Sequence, residues 1–216
     1  MRQQKDKRQK PGKKAQPVLS PEELDQVVSQ AKEGDVAAFQ QLYEYYGKKI
    51  LNYIYRMTGS QQEAEDLMQD TFILVHRNLT SLKENKKFQS WLYRIAQNNV
   101  YQKYRGKTPH MESIDQEESA ELSDFQKLAT PTKSPEESVL SEELEGLIEQ
   151  VISELPEKYK RVFVLSAIHK LSYQEISEIV GRSLASVKSD IHRARVEVRD
   201  KIKKYLGENY GMSNLV

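Results

Sequence analysis

Cysteine is absent from all 216 residues, which excludes disulfides and thiolate metal sites and is compatible with a reducing cytoplasm. No apolar run approaches the roughly 20 residues needed to cross a bilayer, so no membrane span is expected. The basic start of the chain has no apolar stretch behind it and does not read as a secretory signal. A Gly-rich phosphate loop, a nucleophile elbow and a metal-ligand cluster are also missing, since the four His are scattered. The abundant carboxylates fall on amphipathic helices with no visible pocket scaffold. An enzyme, a cofactor and a small-molecule substrate are therefore not expected. Nothing alternates as a strand ladder would, and the expected fold class is all-α.

Charge is plentiful, at 30% Asp, Glu, Lys and Arg, and the net +1 conceals blocks of opposite sign. Residues 1–14 hold seven Lys/Arg against one Asp, residues 112–145 eleven Asp/Glu against two Lys, and residues 182–204 eight Lys/Arg against three acids. Such blocks read as a basic arm, an acidic linker and a basic binding helix, although a charge run also suits a plain solvated surface.

Helical periodicity dominates the rest. Ser20-Pro21-Glu22-Glu23 is a capping box with proline at the first helical position, and the helix it opens stops near Gly34. A second helix starts at Asp35 with the stripe Phe39, Leu42, Tyr43, Tyr46, Ile50, Tyr53, Ile54 and Met57, and ends at Gly59. Ser60 and Glu63 suggest another capping box, followed by Ala64, Leu67, Met68, Phe72, Val75 and Leu79. A loop over 80–87 leads to a fourth helix with Phe88, Trp91, Leu92, Ile95, Ala96 and Val100. Residues 20–107 thus make one helical domain, preceded by a basic arm over 1–19. Residues 108–138, with three prolines and little apolar periodicity, read as an acidic linker that cannot bury enough surface to offset ordering entropy. A second helical domain spans 139–210, with a short tail over 211–216.

Inside that second domain Ser172 and Glu175 open a short helix, Gly181 is placed to end it in the left-handed conformation, and Ser183 caps a longer one buried along Val187, Ile191, Ala194, Val198 and Ile202. Short helix, tight turn and long helix fit a helix-turn-helix. The start of the second helix offers Ser183, Leu184, Ala185, Ser186, Lys188 and Ser189 to base edges in a major groove, while His192, Arg193, Arg195 and Arg199 further along suit phosphates. An ordinary helical hairpin with a basic face is the blander alternative. The fourth helix has a polar line of Arg94, Asn98, Tyr101 and Arg105, with Lys103, Tyr104 and Lys107 alongside, which suits single-stranded nucleic acid or a partly buried helix end. The third helix sets Glu63, Glu65, Asp66, Gln69 and Asp70 beside exposed-looking Leu67, Phe72 and Ile73. That face fits a basic helical partner or, equally, an acidic helix start favoured by the helix dipole.

Three stretches resemble the extracytoplasmic-function (ECF) class of the sigma-70 family: Glu65-Asp66-Leu67-Met68-Gln69-Asp70-Thr71-Phe72, Phe88-Gln89-Ser90-Trp91-Leu92-Tyr93-Arg94-Ile95-Ala96-Gln97-Asn98, and Val187-Lys188-Ser189-Asp190-Ile191-His192-Arg193-Ala194-Arg195. The resemblance covers about residues 31–206 and implies a cytoplasmic transcription initiation factor. It implies that Asp66, Leu67, Gln69, Asp70 and Phe72 dock on core RNA polymerase. It implies that the 80–87 loop, with Asn85 and Lys86, and the face Arg94, Asn98, Tyr101, Arg105 bind and melt the −10 promoter element. The helix-turn-helix, through Ser183, Ala185, Ser186, Lys188, Ser189, His192, Arg193 and Arg195, would read the −35 element, and an anti-sigma factor is an expected partner. At Asp190 this class usually carries a basic residue; an acid there would repel phosphate or accept from a cytosine amino group. The rival reading is a stand-alone helix-turn-helix regulator whose first domain senses a ligand or dimerises.

Overall fold

A computed structural model describes residues 19–104 and 146–210, the side chains at 206 and 208–210 excepted. The linker 108–138, the tail 211–216, the basic arm up to residue 18 and the candidate Arg105 lie outside the described residues.

Helix α1, Pro21–Lys32, starts where the capping box forms: Ser20 Oγ accepts from the Glu23 N–H at 3.2 Å, and Glu23 accepts from the Ser20 N–H at 2.8 Å. Gly34 turns the chain with φ 95°, and Asp35 then caps α2, Val36–Thr58, by accepting from the Ala37 and Ala38 N–H groups. Gly59 ends α2 in the left-handed region at φ 72°, a conformation that a Cβ would strain. Helix α3, Gln61–Asn78, is capped by Ser60 from one side only. The reciprocal half of the expected capping box is not formed, because Thr58 Oγ1 accepts from the Ser60 N–H and Glu63 accepts instead from Tyr104 Oη at 2.6 Å. Two 3₁₀ turns, Leu79–Ser81 and Asn85–Lys87, lead into α4, Phe88–Tyr104.

The predicted stripe of α2 is the centre of this group: Leu42, Tyr46, Ile50, Tyr53 and Ile54 are fully buried, together with Ala64, Phe72 and Val75 of α3 and Phe88, Leu92, Tyr93 and Ala96 of α4. Trp91 is only partly buried, tilted against Phe88 at 6.2 Å between ring centroids. One buried polar pair joins α3 to α4. Asn99 Nδ2 donates to Thr71 Oγ1 at 3.0 Å, and Thr71 donates to the Leu67 carbonyl at 2.7 Å.

The second group opens with helix α5, described over residues 146–153, followed by α6, Glu157–Phe163, which widens into one π-helical turn over Val164–Ile168. Helix α7, Tyr173–Val180, has the full capping box of Ser172 and Glu175, and Gly181 at φ 68° breaks it. Helix α8, Leu184–Tyr210, follows at once, its first turn capped by Ser183 Oγ accepting from the Ser186 N–H at 3.2 Å. Val187, Ile191, Ala194 and Val198 are its buried line.

The two groups touch, and α7 packs on α4. Across this seam Tyr93 Oη meets His169 Nδ1 at 2.9 Å and Gln97 Nε2 donates to the Ile179 carbonyl at 3.4 Å. Arg56 pairs with Glu149, and Arg161 donates to the Tyr101 hydroxyl. Burial, with Arg56 and Lys49 nearby, pushes the His169 imidazole down to about 4.

Candidate nucleic-acid and polymerase interfaces

The acidic face of α3 is narrower than the sequence suggests. Asp66, Gln69 and Asp70 are exposed, but Leu67 and Phe72 are core residues, 6% and 4% exposed. Their burial follows from spacing: Leu67 stands three residues after Ala64 and four before Thr71, and Phe72 three before Val75, all of which the core also takes. The apolar members of the outward face are instead Ile73, 48% exposed, and Tyr43 of α2, 40% exposed, whose ring meets Phe72 edge-on at 4.8 Å. What remains is a carboxylate pair beside exposed apolar surface, a combination that fits a partner helix carrying cations.

On α4, Arg94 and Asn98 stand in solvent, one turn apart. Tyr101, one turn further, is partly buried beneath Arg161, whose guanidinium lies 5.0 Å from the ring centroid. Lys86 is exposed. Asn85 is not available to DNA in the expected way. Its Oδ1 accepts from Lys32 Nζ at 2.6 Å and its amide donates to the Asp25 carbonyl at 3.3 Å, while Lys32 also reaches the Leu82 carbonyl at 2.6 Å. The loop is therefore strapped to α1 by a cation that sequence reasoning did not connect to it.

All eight candidates on the helix-turn-helix lie outward of α8. Ser183, Ala185, His192, Arg193 and Arg195 are exposed and Ser186, Lys188 and Ser189 partly so, opposite the Val187–Ala194 line. Ser183 spends its hydroxyl on the cap. Asp190 does not belong to this surface. It is 3% exposed, accepts from the Arg182 guanidinium in the turn, and holds Lys158 Nζ at 3.3 Å. Its carboxylate neither repels phosphate nor reads cytosine; it is the counter-charge that lets a turn arginine fold back on the domain. Arg182 is tied a second way, its carbonyl accepting from Ser177 Oγ at 2.6 Å. The spacing held this signal, since Asp190 sits three residues after Val187 and four before Ala194. Among the described residues no cluster of three or more His, Asp and Glu is arranged to hold a metal ion, and no described helix is long and apolar enough to cross a membrane.

Residues 42–109 match the family described as Sigma-70 region 2, and residues 145–198 match Sigma-70, region 4. The chain is 38% identical over 178 residues to the ECF RNA polymerase sigma factor SigW of Bacillus subtilis (strain 168), spanning 82% of this chain and 95% of that one. The chain belongs to the sigma-70 family. The RNA polymerase sigma-H factor of Pseudomonas aeruginosa is 32% identical over 193 residues, 88% of this sigma factor and 100% of the relative. The fold is shared with the solved structure of CnrH in complex with the cytosolic domain of CnrY, at TM-score 0.62 and 22% identity over 84% of this chain and 97% of that one. It is shared too with the sigma factor RpoE in complex with the anti-sigma factor NepR from Bartonella quintana, at TM-score 0.58 and 18% identity over 78% and 98%. Helix α1 and its Lys32 strap precede the region 2 match.

Proposed function

We propose that this sigma factor divides its work among three faces, with residues 20–107 as one domain and 139–210 as the other. As an ECF RNA polymerase sigma factor it binds core polymerase and directs promoter-specific transcription initiation. Polymerase docks on Asp66, Gln69, Asp70, Ile73 and Tyr43. Leu67 and Phe72 act beneath that face as its support. The melted −10 strand runs along Lys86, Arg94, Asn98, Tyr101 and Arg105, where aromatic rings and cations suit exposed bases and phosphates. The −35 duplex takes the outward side of α8, with bases at Ala185, Ser186, Lys188 and Ser189 and phosphates at His192, Arg193 and Arg195. Its work is to bind and position rather than to catalyse, in the cytoplasm, under an anti-sigma factor of the kind that holds the structural neighbours.

The observation that carries this reading is the solvent-facing row of α8, backed by an apolar line and started by a hydroxyl cap. The matches to both sigma-70 regions speak against a stand-alone regulator, and one experiment tests the α3 face. Charge reversal of Asp66 and Asp70 to Lys, with helicity checked by circular dichroism, should cut co-purification with core polymerase at least tenfold. Unchanged co-purification would remove the α3 contact and put core binding on another face of the chain.

A further inference from the structure

At the corner where the Asn85–Lys87 turn runs into α4, three side chains have no part in the reading above: Lys87, Gln89 and Ser90. All three hold carboxylates of α7. Lys87 Nζ lies 3.6 Å from Glu178 Oε1 and 3.5 Å from Glu84 Oε1, and the one proton of Ser90 Oγ is shared between the Lys87 carbonyl at 3.1 Å and Glu178 Oε2 at 3.2 Å. Gln89 Nε2 donates to Glu175 Oε1 at 3.4 Å, while its own Oε1 accepts from Tyr46 Oη. An ammonium, a hydroxyl and an amide N–H thus converge on anionic oxygens supplied from the other helical group. That set of donors is the one a phosphate oxygen needs. Ser90 is one helical turn before Arg94, and Lys86 adjoins Lys87, so the corner continues the line of exposed cations on this domain.

We propose that Lys87, Gln89 and Ser90 form a backbone-phosphate site for the melted promoter strand, and that Glu175 and Glu178 of the helix-turn-helix occupy it when the two helical groups are closed together. The proposal rests on the −10 reading of α4 and adds a contact to it. The covering acids differ in what else they do. Glu175 also closes the Ser172 capping box, with Oε2 accepting from the Ser172 N–H at 2.8 Å. Glu178 has no share in that cap, and its neighbours Ile176 and Ile179 carry the burial of α7. Glu178 is therefore the residue to change without unfolding the helix. Phosphate contacts are blind to base sequence, so no knowledge of the promoter is needed for the test.

The probe is a fluorescein-labelled single-stranded DNA 20-mer of random sequence, titrated with the full chain by anisotropy at several salt concentrations. Glu178→Gln should bind it about fivefold more tightly than the unmodified chain. Adding Lys87→Gln to Glu178→Gln should remove that gain and lower the slope of log affinity against log salt by about 0.7, the share of one single-strand phosphate. Equal affinity for Glu178→Gln and the unmodified chain would overturn the occlusion. An unchanged slope on adding Lys87→Gln would overturn the phosphate site. Arg94→Gln in the same background separates this failure from that of the parent reading. If Arg94→Gln weakens binding and Lys87→Gln does not, the corner alone is wrong; if neither does, the −10 assignment falls with it.

Discussion

Acidifying the free chain from pH 7 to pH 5 should loosen the seam between α4 and the second helical group by about 2 kcal/mol. The group responsible is His169. Its ring is edge-on to Tyr53 of α2 at 5.9 Å and tilted against Tyr93 of α4 at 5.3 Å, and its Nε2 is buried with no hydrogen-bond partner. The imidazolium would present two N–H groups where the seam offers one acceptor, Tyr93 Oη, and it would do so in a buried place next to Arg56 and Lys49. The ordinary value of 6.5 is accordingly depressed to about 4 in the closed fold. The sign follows from which state takes up the proton. Above pH 6.5 both open and closed forms hold a neutral ring, and there is no dependence. Between 6.5 and about 4 the open form is protonated and the closed form is not, so closure weakens as the pH falls. With those two values the opening constant rises roughly 30-fold at pH 5, which is about 2 kcal/mol, and levels off near 3 kcal/mol below pH 4. The absence of native cysteine makes the assay direct: cysteines placed at exposed Gln62 and Asp200 can be labelled as a donor–acceptor pair, and energy transfer followed against pH. Transfer should fall between pH 7 and pH 5 in the unmodified chain and stay level in His169→Gln. An equal acid response in both chains would refute the assignment to His169.

Two further outcomes follow from pairs that the structure buries. Asp190→Asn should cost about 2 kcal/mol of unfolding free energy, less than a fully buried ion pair because Arg182 and Lys158 are partly exposed; a urea melt within 0.5 kcal/mol of the unmodified chain would contradict its role as counter-charge. Lys32→Met removes two charge-assisted hydrogen bonds, to the Leu82 carbonyl and Asn85 Oδ1, and should raise amide hydrogen exchange of residues 82–87 by at least about tenfold, with α3 unaffected; unchanged exchange would remove the strap.

Local chemistry made much of this legible. The Ser20 and Ser172 boxes, the Asp35 and Ser183 caps and the left-handed Gly59 and Gly181 each act within four residues, so the chain announces them on a reading of a few positions. The core stripe of α2 is equally plain, because a helix repeats its buried face. On α3 two patterns overlap: Leu67 and Phe72 flank the acids in sequence, yet they follow the interior period and are buried. Asn85 and Asp190 illustrate what a single sequence hides. Lys32 reaches Asn85 from 53 residues away, and a distance of that length leaves no periodic trace. The seam was hidden for the same reason, since Ser90, Tyr93 and Gln97 look like the polar side of an amphipathic helix until another helix covers them.

The Thr71–Asn99 pair gives the first domain a property that apolar packing would not. Greasy helices can slide past one another by small steps at little cost, because one methyl contact replaces the next. The Asn99 amide has no second seat: a shift of α3 along α4 would take the Thr71 oxygen from it and leave its N–H stranded away from water, at about 1–3 kcal/mol, while Thr71 keeps its own bond to the Leu67 carbonyl. Helix α3 bears the exposed Asp66 and Asp70 and α4 bears Arg94 and Asn98, so the pair acts as a rivet through the plate that carries both. On the proposed division of faces, a tilt that polymerase imposes on α3 would pass to α4 and reset the aim of Arg94 and Asn98.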